Sequence, residues 1–323
     1  MTARKSCPKP LRGIIPPLVT PLSDRDTLDV RGLERLVEHV LDGGVQGLFI
    51  LGTTGEGPSL SYHLRCELIE RVCEQVSGRL PVLVGVSDTS LVESLNLAGC
   101  ADEAGAAAVV VAAPYYYPLA QAELRRYIEH LAAAMPRPVL LYNAPGQTKI
   151  RFELDTLRRL LGAANIIGLK DSSADMIYFH RVLRLAAVRP DWSVLVGPEE
   201  LLAEAVWLGG HGGVCGGANL CPRLYVDLYQ AAAAGDTDRV ADLHAQVMAI
   251  AGGIYSVGCP GGGVIQGLKS ALALLGICDD LPAEPFPRLD DRGRQRIRRH
   301  LVHLGLAADV PGESISAAEE NHA

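Results

Sequence analysis

The stretch NIIGLKDSS, residues 165–173, shows most clearly how this chain folds. Its first half is rich in Ile and Leu, which is typical of a strand buried on both faces in a parallel sheet. Lys170 follows where that apolar run ends. A lysine at this point either extends its charged group into solvent or is placed there for amine chemistry. The stretch alone leaves both interpretations open.

Similar apolar runs lie on both sides of this stretch, and amphipathic segments separate them. The predicted strands cover residues 13–20, 45–51, 81–86, 107–112, 138–143, 165–170, 193–197 and 212–215. Eight strands that each precede a helix predict an α/β fold of the (β/α)8 TIM barrel type. An open doubly wound sheet is the alternative, but the glycine fingerprint GxGxxG is absent after the first strand.

The chain divides into three regions. Residues 1–235 contain all the predicted strands and form the barrel that carries the active site. Strand signals stop there, and three helical patterns within residues 236–306 predict a C-terminal helical extension. Residues 307–323 are polar, acidic and without periodicity, so a disordered tail is predicted.

Composition narrows the class of protein. The 323 residues are 48% hydrophobic and 21% charged, as in a soluble globular enzyme, and the formal net charge of −7 argues against nucleic-acid binding. No apolar run reaches the roughly 18 residues of a membrane-spanning helix. The eight cysteines form no C-x-x-C pair and no zinc spacing, which predicts free thiols, a cytoplasmic location and no metal site.

Chemically useful residues follow several of the predicted strands. GTTGEG (52–57) follows the second strand, PYYYP (114–118) the fourth, and YNAPGQT (142–148) overlaps the end of the fifth, while Lys170 ends the sixth. Each motif alone also fits an ordinary turn. The active site of a TIM barrel lies at the C-terminal ends of its strands, so these motifs are expected to meet there.

GTTGEG, YNAP and GLKDSS, in this order and at these spacings, resemble the dihydrodipicolinate synthase and N-acetylneuraminate lyase family. The similarity extends from residue 11 to residue 306 and includes GGHGGVCGGAN at the eighth strand. It implies a TIM barrel with C-terminal helices that forms dimers or tetramers and acts on small molecules without a metal or external cofactor. It also implies a Schiff base between a lysine and pyruvate or a longer 2-oxo acid.

The resemblance implies a role for particular residues. Lys170 would form the Schiff base, Tyr142 would relay protons, and Thr54 would connect Tyr142 to a tyrosine of the PYYYP turn. Tyr116 would reach into the site of a neighbouring subunit. The implied substrate-binding residues are Thr53, Thr54, Gly55, Gln147, Val214 and Glu199.

This chemistry is consistent on physical grounds. An amine attacks a carbonyl only when it is neutral, and an apolar strand end favours the neutral form. The iminium then draws electrons from C3 of pyruvate, and a phenol that moves the proton contributes about 10²–10⁴ in rate. The product is an enamine that attacks an aldehyde.

The residues expected to bind the second substrate depart from the pattern of the synthases. Synthases of this family carry an arginine that binds the carboxylate of aspartate semialdehyde where this chain has Gln147, and an amide does not replace a guanidinium. Arg151 is an alternative partner for that carboxylate. Lyases of the family use an acidic pair to hold sugar hydroxyls, and Glu199 and Glu200 occupy that place, although both also fit the first turn of a helix.

The preferred hypothesis is therefore a pyruvate-dependent class I aldolase or lyase whose partner is a polar aldehyde. The first alternative is dihydrodipicolinate synthase itself, acting on aspartate semialdehyde. The second is a binding or sensor barrel that has lost turnover.

Overall fold

The computed structural model describes residues 7–308 and contains ten strands within them. The strands are β1 (Gly13–Ile14), β2 (Leu22–Asp24), β3 (Thr27–Leu28), β4 (Leu48–Ile50), β5 (Val82–Gly85), β6 (Ala108–Ala112), β7 (Val139–Asn143), β8 (Ile166–Asp171), β9 (Ser193–Val196) and β10 (Gly212–Gly213). Eight of them form one sheet in the order β1, β10, β9, β8, β7, β6, β5, β4. All pairs within that sheet are parallel.

The sheet closes into a barrel between its first and last strands. Pro17 bridges Phe49 in parallel, Phe49 donates its N–H to the Pro16 carbonyl, and Leu18 donates to the Phe49 carbonyl at 2.8 Å. An open sheet leaves these edges unpaired, so the predicted TIM barrel is confirmed. The paired part of β1 is shorter than the predicted strand 13–20 because Pro16 and Pro17 have no N–H to donate.

Helices follow the barrel strands and continue beyond them. They are α1 (Val30–Asp42), α2 (Tyr62–Val76), α3 (Leu91–Glu103), α4 (Gln121–Ala134), α5 (Pro145–Thr148), α6 (Leu154–Leu160), α7 (Met176–Ala186), α8 (Leu202–Trp207), α9 (Pro222–Ala234), α10 (Thr237–Gly253), α11 (Gly263–Leu274) and α12 (Asp291–His303). Asp29 caps α1 by accepting a hydrogen bond from the Gly32 N–H, and Asp175 caps α7 by accepting from Tyr178. These caps fix where the helices begin after their loops.

The last three helices, α10 to α12, form the predicted C-terminal extension. The predicted tail, residues 307–323, falls almost entirely outside the described residues, which end at 308. The β2–β3 hairpin between β1 and α1 was not predicted, and neither was the single turn α5. No helix among residues 7–308 is long and apolar enough to cross a bilayer.

Two hydrophobic layers hold the barrel together. The larger lies between the strands and the surrounding helices and includes Val139 and Leu141. The smaller fills the barrel interior and includes Leu140 and Tyr142. Neighbouring residues of β7 thus alternate between the two layers, as the pleat of a strand requires.

Candidate active site

A β-bulge places Lys170 inside the barrel. Ile166 of β8 packs toward the helices, and strict alternation would direct residue 170 the same way. The pairing with β7 shifts by one residue after Ile166, so that Gly168 rather than Ile167 pairs with Leu140. Lys170 then pairs with Tyr142, whose side chain is in the interior layer. Bulges next to active sites commonly redirect one side chain in this way.

Gly168 makes this bulge sterically possible. A Cβ atom on residue 168 would lie 2.3 Å from the carbonyl oxygen of Ser193 on β9, so only glycine fits. The glycine inside an otherwise bulky strand was therefore a sequence signal for the bulge.

The amine of Lys170 lies under two aromatic rings. Its Nζ is 4.1 Å from the ring centroid of Tyr142 and 5.1 Å from that of Phe49. Lys170 is only 4% exposed, so the interpretation of this lysine as a solvent-directed strand end does not hold. The amine therefore lies among aromatic side chains of the interior layer.

The ends of β7 and β8 are tied together next to this pair. Asn143 donates from Nδ2 to Asp171 Oδ1 at 2.7 Å, and Ser173 donates its hydroxyl to the other carboxylate oxygen of Asp171. Asn143 and Asp171 are the register partners that follow Tyr142 and Lys170. Buried, fully bonded polar groups of this kind fix the relative position of the two strand ends.

Tyr142 has the environment of a proton relay. Its hydroxyl lies 3.4 Å from Thr53 Oγ1. Burial alone raises the pKa of Tyr142, but the charge of Lys170 and hydrogen bonds from Thr53 and Ser172 outweigh it, so the net pKa lies below the ordinary value of 10. A phenol that ionises more easily is better matched to proton transfer near neutral pH.

The loop that carries Thr53 has an unusual backbone. Leu51 and Glu56 both adopt the left-handed conformation, with φ of 58° and 56°. Such residues cost about 1–3 kcal/mol each and persist only where the surroundings impose them. Glycine is required at position 57, because a Cβ atom there would lie 2.3 Å from the Leu51 carbonyl oxygen.

A cavity of about 430 Å³ opens at the C-terminal end of the barrel. Tyr142 and Phe49, whose rings lie over the Lys170 amine, line it, and Thr53, Ser87 and Gln147 add polar groups. Gly261, Ile265 and Phe286 from the C-terminal region complete its wall. A larger groove of about 890 Å³ lies between α1 and α2 on the outside of the barrel and contains none of the predicted site residues.

The predicted site residues do not all reach this cavity. Tyr142, Thr53 and Gln147 line it, whereas Lys170, Thr54, Gly55 and Val214 do not. Lys170 lies next to the cavity, against the ring of Tyr142. The contact to Tyr142 expected of Thr54 is made by Thr53, one residue earlier in the loop. Gly55 has a structural role instead. Its carbonyl accepts a hydrogen bond from the Thr20 hydroxyl, and a Cβ atom at this position would lie 2.7 Å from the Leu18 carbonyl oxygen. The Val214 side chain is part of the interior layer, below the cavity.

The structure places Glu199 away from the cavity. Its carboxylate accepts hydrogen bonds from the Gly217 N–H at 2.8 Å and from the hydroxyls of Tyr225 and Tyr255 at 2.5 and 2.6 Å. Burial raises the pKa of Glu199, and these hydrogen bonds oppose that rise. Both carboxylate oxygens thus accept hydrogen bonds from protein groups, and Glu199 does not line the cavity, so this geometry gives it no role in binding substrate hydroxyls.

Tyr116 projects from the PYYYP turn into solvent and is 73% exposed. Its ring meets that of Tyr117 edge to face at a centroid distance of 4.9 Å. Its predicted role in a neighbouring subunit's site stays a prediction. The residue of this turn that lines the cavity is Tyr115.

Several residues that line the cavity carry no motif of their own in the sequence. Phe49 lies within a predicted strand and Glu56 within GTTGEG, so both were visible but had no distinct signal. Ile265 and Phe286 belong to the extension, which no motif connected with the site. Within residues 7–308, no group of three or more His, Cys, Asp or Glu side chains is arranged to hold a metal ion.

Comparison with known proteins gives a consistent result. The sequence model of the Dihydrodipicolinate synthetase family matches residues 10–304. A 4-hydroxy-tetrahydrodipicolinate synthase from Methanopyrus kandleri is 31% identical over 298 residues, which cover 92% of this chain and 97% of that protein. A second one, from Aromatoleum aromaticum, is also 31% identical and covers 92% and 99%.

Solved structures agree with the sequence relatives. Dihydrodipicolinate synthase from Bacteroides thetaiotaomicron superposes with a TM-score of 0.90 at 52% identity, over 92% of this chain and all of that chain. YagE, a prophage protein of the dihydrodipicolinic acid synthase family from E. coli K12, was solved in complex with pyruvate and has a TM-score of 0.86 at 30% identity, over 92% and 99%. Fold, site and relatives therefore agree that this chain is a lyase or aldolase belonging to the dihydrodipicolinate synthetase family.

Proposed function

We propose that this protein is a class I aldolase or lyase that forms a Schiff base between Lys170 and pyruvate. The observation that carries the proposal is the buried amine of Lys170, 4.1 Å from the ring of Tyr142, which lines a small cavity. A family member of similar structure, YagE, binds pyruvate. No external cofactor is proposed, because the lysine itself supplies the electron sink.

The residues around Lys170 suit the steps of this reaction. The Lys170 amine, in its neutral form, attacks C2 of pyruvate and gives a carbinolamine. Loss of water from the carbinolamine leaves an iminium. Tyr142, with its lowered pKa and its contact to Thr53, then removes a proton from C3 and leaves an enamine.

The lining of the cavity supports a neutral, polar second substrate. No lysine or arginine lines the cavity in the part of the chain that the structure describes. The nearby cations bind other groups: Arg65 pairs with Asp88, Arg151 with Asp175, Lys269 with Glu56, and Lys149 donates to the Gly146 carbonyl. Gln147 offers an amide that pairs with hydroxyls or carbonyls better than with a carboxylate.

The alternative is the synthase reaction with aspartate semialdehyde. The names of the sequence relatives favour it, and so does the 52% identity to the Bacteroides thetaiotaomicron enzyme. Arg151 was the predicted substitute for the missing arginine at Gln147, but its guanidinium binds Asp175 at 3.0 Å and lies over the ring of Tyr178. The carboxylate of aspartate semialdehyde would therefore find no cationic partner near Gln147. For this reason we propose a neutral aldehyde as the second substrate.

We further propose that the protein works in the cytoplasm as a homo-oligomer. The eight cysteines are all free in the structure, which suits a reducing compartment. Tyr116 and Tyr117 are large hydrophobic side chains that are more than 70% exposed, which is typical of a surface that packs against another subunit.

Pyruvate alone tests the first half of this mechanism. In D2O, enamine formation exchanges the methyl protons of pyruvate for deuterium, and the loss of the methyl signal is followed by proton NMR. We expect exchange far above the buffer rate for the wild type and none above it for Lys170→Met. A panel of neutral aldehydes and aspartate semialdehyde, each assayed for pyruvate consumption, then decides between the two second substrates. If the wild type shows neither methyl-proton exchange nor pyruvate consumption, the non-catalytic barrel becomes the better explanation.

A further inference from the structure

A buried ion pair connects the GTTGEG loop to the C-terminal extension. Nζ of Lys269 on α11 contacts Oε2 of Glu56, and both side chains are almost completely buried. Lys269 also donates to the Leu281 carbonyl at 2.8 Å, and Glu56 Oε1 accepts the Ala283 N–H at 2.6 Å. The pair thus joins the loop after β4 to α11 and to the segment that follows α11.

The same face of α11 contributes to the cavity. Ile265 lies four residues before Lys269, which places the two side chains one above the other on the helix. Ile265 lines the cavity and so does Glu56. Any movement of α11 relative to the loop would therefore change the wall of the cavity and the position of Glu56 together.

Glu56 is connected directly to the residue that contacts Tyr142. The Glu56 N–H donates to the Thr53 carbonyl at 3.0 Å, and the Gly57 N–H donates to the Gly52 carbonyl at 3.2 Å. These two bonds close a tight turn around Thr53, and the left-handed backbone of Glu56 is part of it. A tight turn with a left-handed residue needs support from outside, and the carboxylate of Glu56 receives it from α11.

A contribution to protein stability alone does not explain the buried pair of Glu56 and Lys269. Taking both charges out of water costs several kcal/mol per ion, and well-packed apolar residues of similar size are often as stabilising. An ion pair with hydrogen bonds on both partners does, however, fix direction and distance more strictly than apolar packing. Strict placement is what a proton relay through Thr53 and Tyr142 requires.

We propose that Lys269 is a positioning residue for the proton relay, acting through its ion pair with Glu56 to hold the GTTGEG loop so that Thr53 stays in contact with Tyr142. The inference rests on the proposed function, since it concerns the same relay. It assigns the C-terminal extension an indirect role in catalysis, through the position of the GTTGEG loop. Lys269 itself touches no substrate.

The experiment separates proton transfer from Schiff-base formation, using only pyruvate. Lys269→Met and Glu56→Gln are compared with the wild type by borohydride trapping at saturating pyruvate and by methyl-proton exchange in D2O. We expect trapping to be retained in both variants and exchange to fall about 10- to 100-fold, within the range that a misplaced acid–base group costs. The double variant should lose no more than either single variant, because both changes remove one shared interaction.

The matched control breaks an ion pair at the other end of the barrel. Arg137 precedes β7 and binds Asp102 at 2.6 Å, far from the C-terminal strand ends. Arg137→Met is expected to lower thermal stability while exchange stays within about twofold of the wild type. A loss of exchange equal to that of Lys269→Met would show that general destabilisation, not loop position, is responsible.

Two further outcomes overturn the inference. Exchange near the wild-type rate in folded Lys269→Met and Glu56→Gln would show that the pair does not position the relay. If Lys269→Met does not fold, Glu56→Gln decides alone, because it is isosteric and removes only the charge. A wild-type protein that neither traps pyruvate nor exchanges its protons would refute the proposed function, and the inference with it.

Discussion

Replacing Gln147 by arginine should change the preference for the second substrate. Gln147 lies in α5 and lines the cavity, and it is exposed to solvent there. A guanidinium gives a carboxylate two parallel hydrogen bonds where the amide gives one. A hydrogen bond to a charged group contributes about 1.5–3 kcal/mol, and solvent screening at this exposed position lowers the gain to about 1–2 kcal/mol. At ~1.4 kcal/mol per factor of ten, this corresponds to about 5- to 30-fold.

The assay compares kcat/KM for aspartate semialdehyde with kcat/KM for a neutral hydroxyaldehyde, at saturating pyruvate. Gln147→Arg should raise the ratio of the two by the factor above. Lys149→Gln is the control, because Lys149 is a cation next to the cavity whose Nζ binds the Gly146 carbonyl, and its loss should leave the ratio unchanged. The reasoning is refuted if the ratio does not rise in Gln147→Arg. It is also refuted if the wild type already uses aspartate semialdehyde at about 10⁴ M⁻¹s⁻¹ or better.

Three further predictions follow from the site and its loop. Tyr142→Phe should keep the fold and borohydride trapping but lose about 10²–10⁴ in methyl-proton exchange, because only the hydroxyl is removed; unchanged exchange would assign the relay elsewhere. Tyr116→Ala and dilution should both lower turnover per subunit if Tyr116 acts across an interface, and a fully active monomer in sedimentation and activity assays would contradict this. Gly57→Ala should destabilise by about 1–3 kcal/mol in denaturant unfolding, since its Cβ would meet the Leu51 carbonyl oxygen at 2.3 Å. Gly99→Ala in α3, whose Cβ meets nothing within 4 Å, should instead stabilise by about 0.5–1 kcal/mol, and equal effects of the two substitutions would count against the loop geometry.

The barrel could be predicted well from the sequence because the signals for parallel strands are local. Apolar runs of strand length, separated by amphipathic segments, indicate parallel strands without knowledge of their partners. The end of each run also identified Lys170, Tyr142 and the GTTGEG loop as neighbours at one end of the barrel. The length of strand β1 was overestimated, since the apolar run continues through Pro16 and Pro17, which have no N–H to donate to the ladder.

What the sequence did not reveal depends on contacts between distant segments. The bulge after Ile166 reverses the side to which Lys170 points, and counting residues along the strand gives the wrong side. Glu199 is drawn into a cluster with Tyr225 and Tyr255, which are 26 and 56 residues away. The pair of Glu56 with Lys269 spans most of the chain, and neither residue has a local feature that points to the other.

The most direct test of the central claim is mass spectrometry of the protein after incubation with pyruvate and borohydride. Reduction converts the iminium into a stable secondary amine, so the account predicts one reduced pyruvate per chain, located by peptide mapping on Lys170. Lys170→Met should give no adduct under the same conditions. Wild-type protein that carries no adduct at saturating pyruvate, or that carries it on another lysine such as Lys149, would contradict the claim that Lys170 forms the Schiff base.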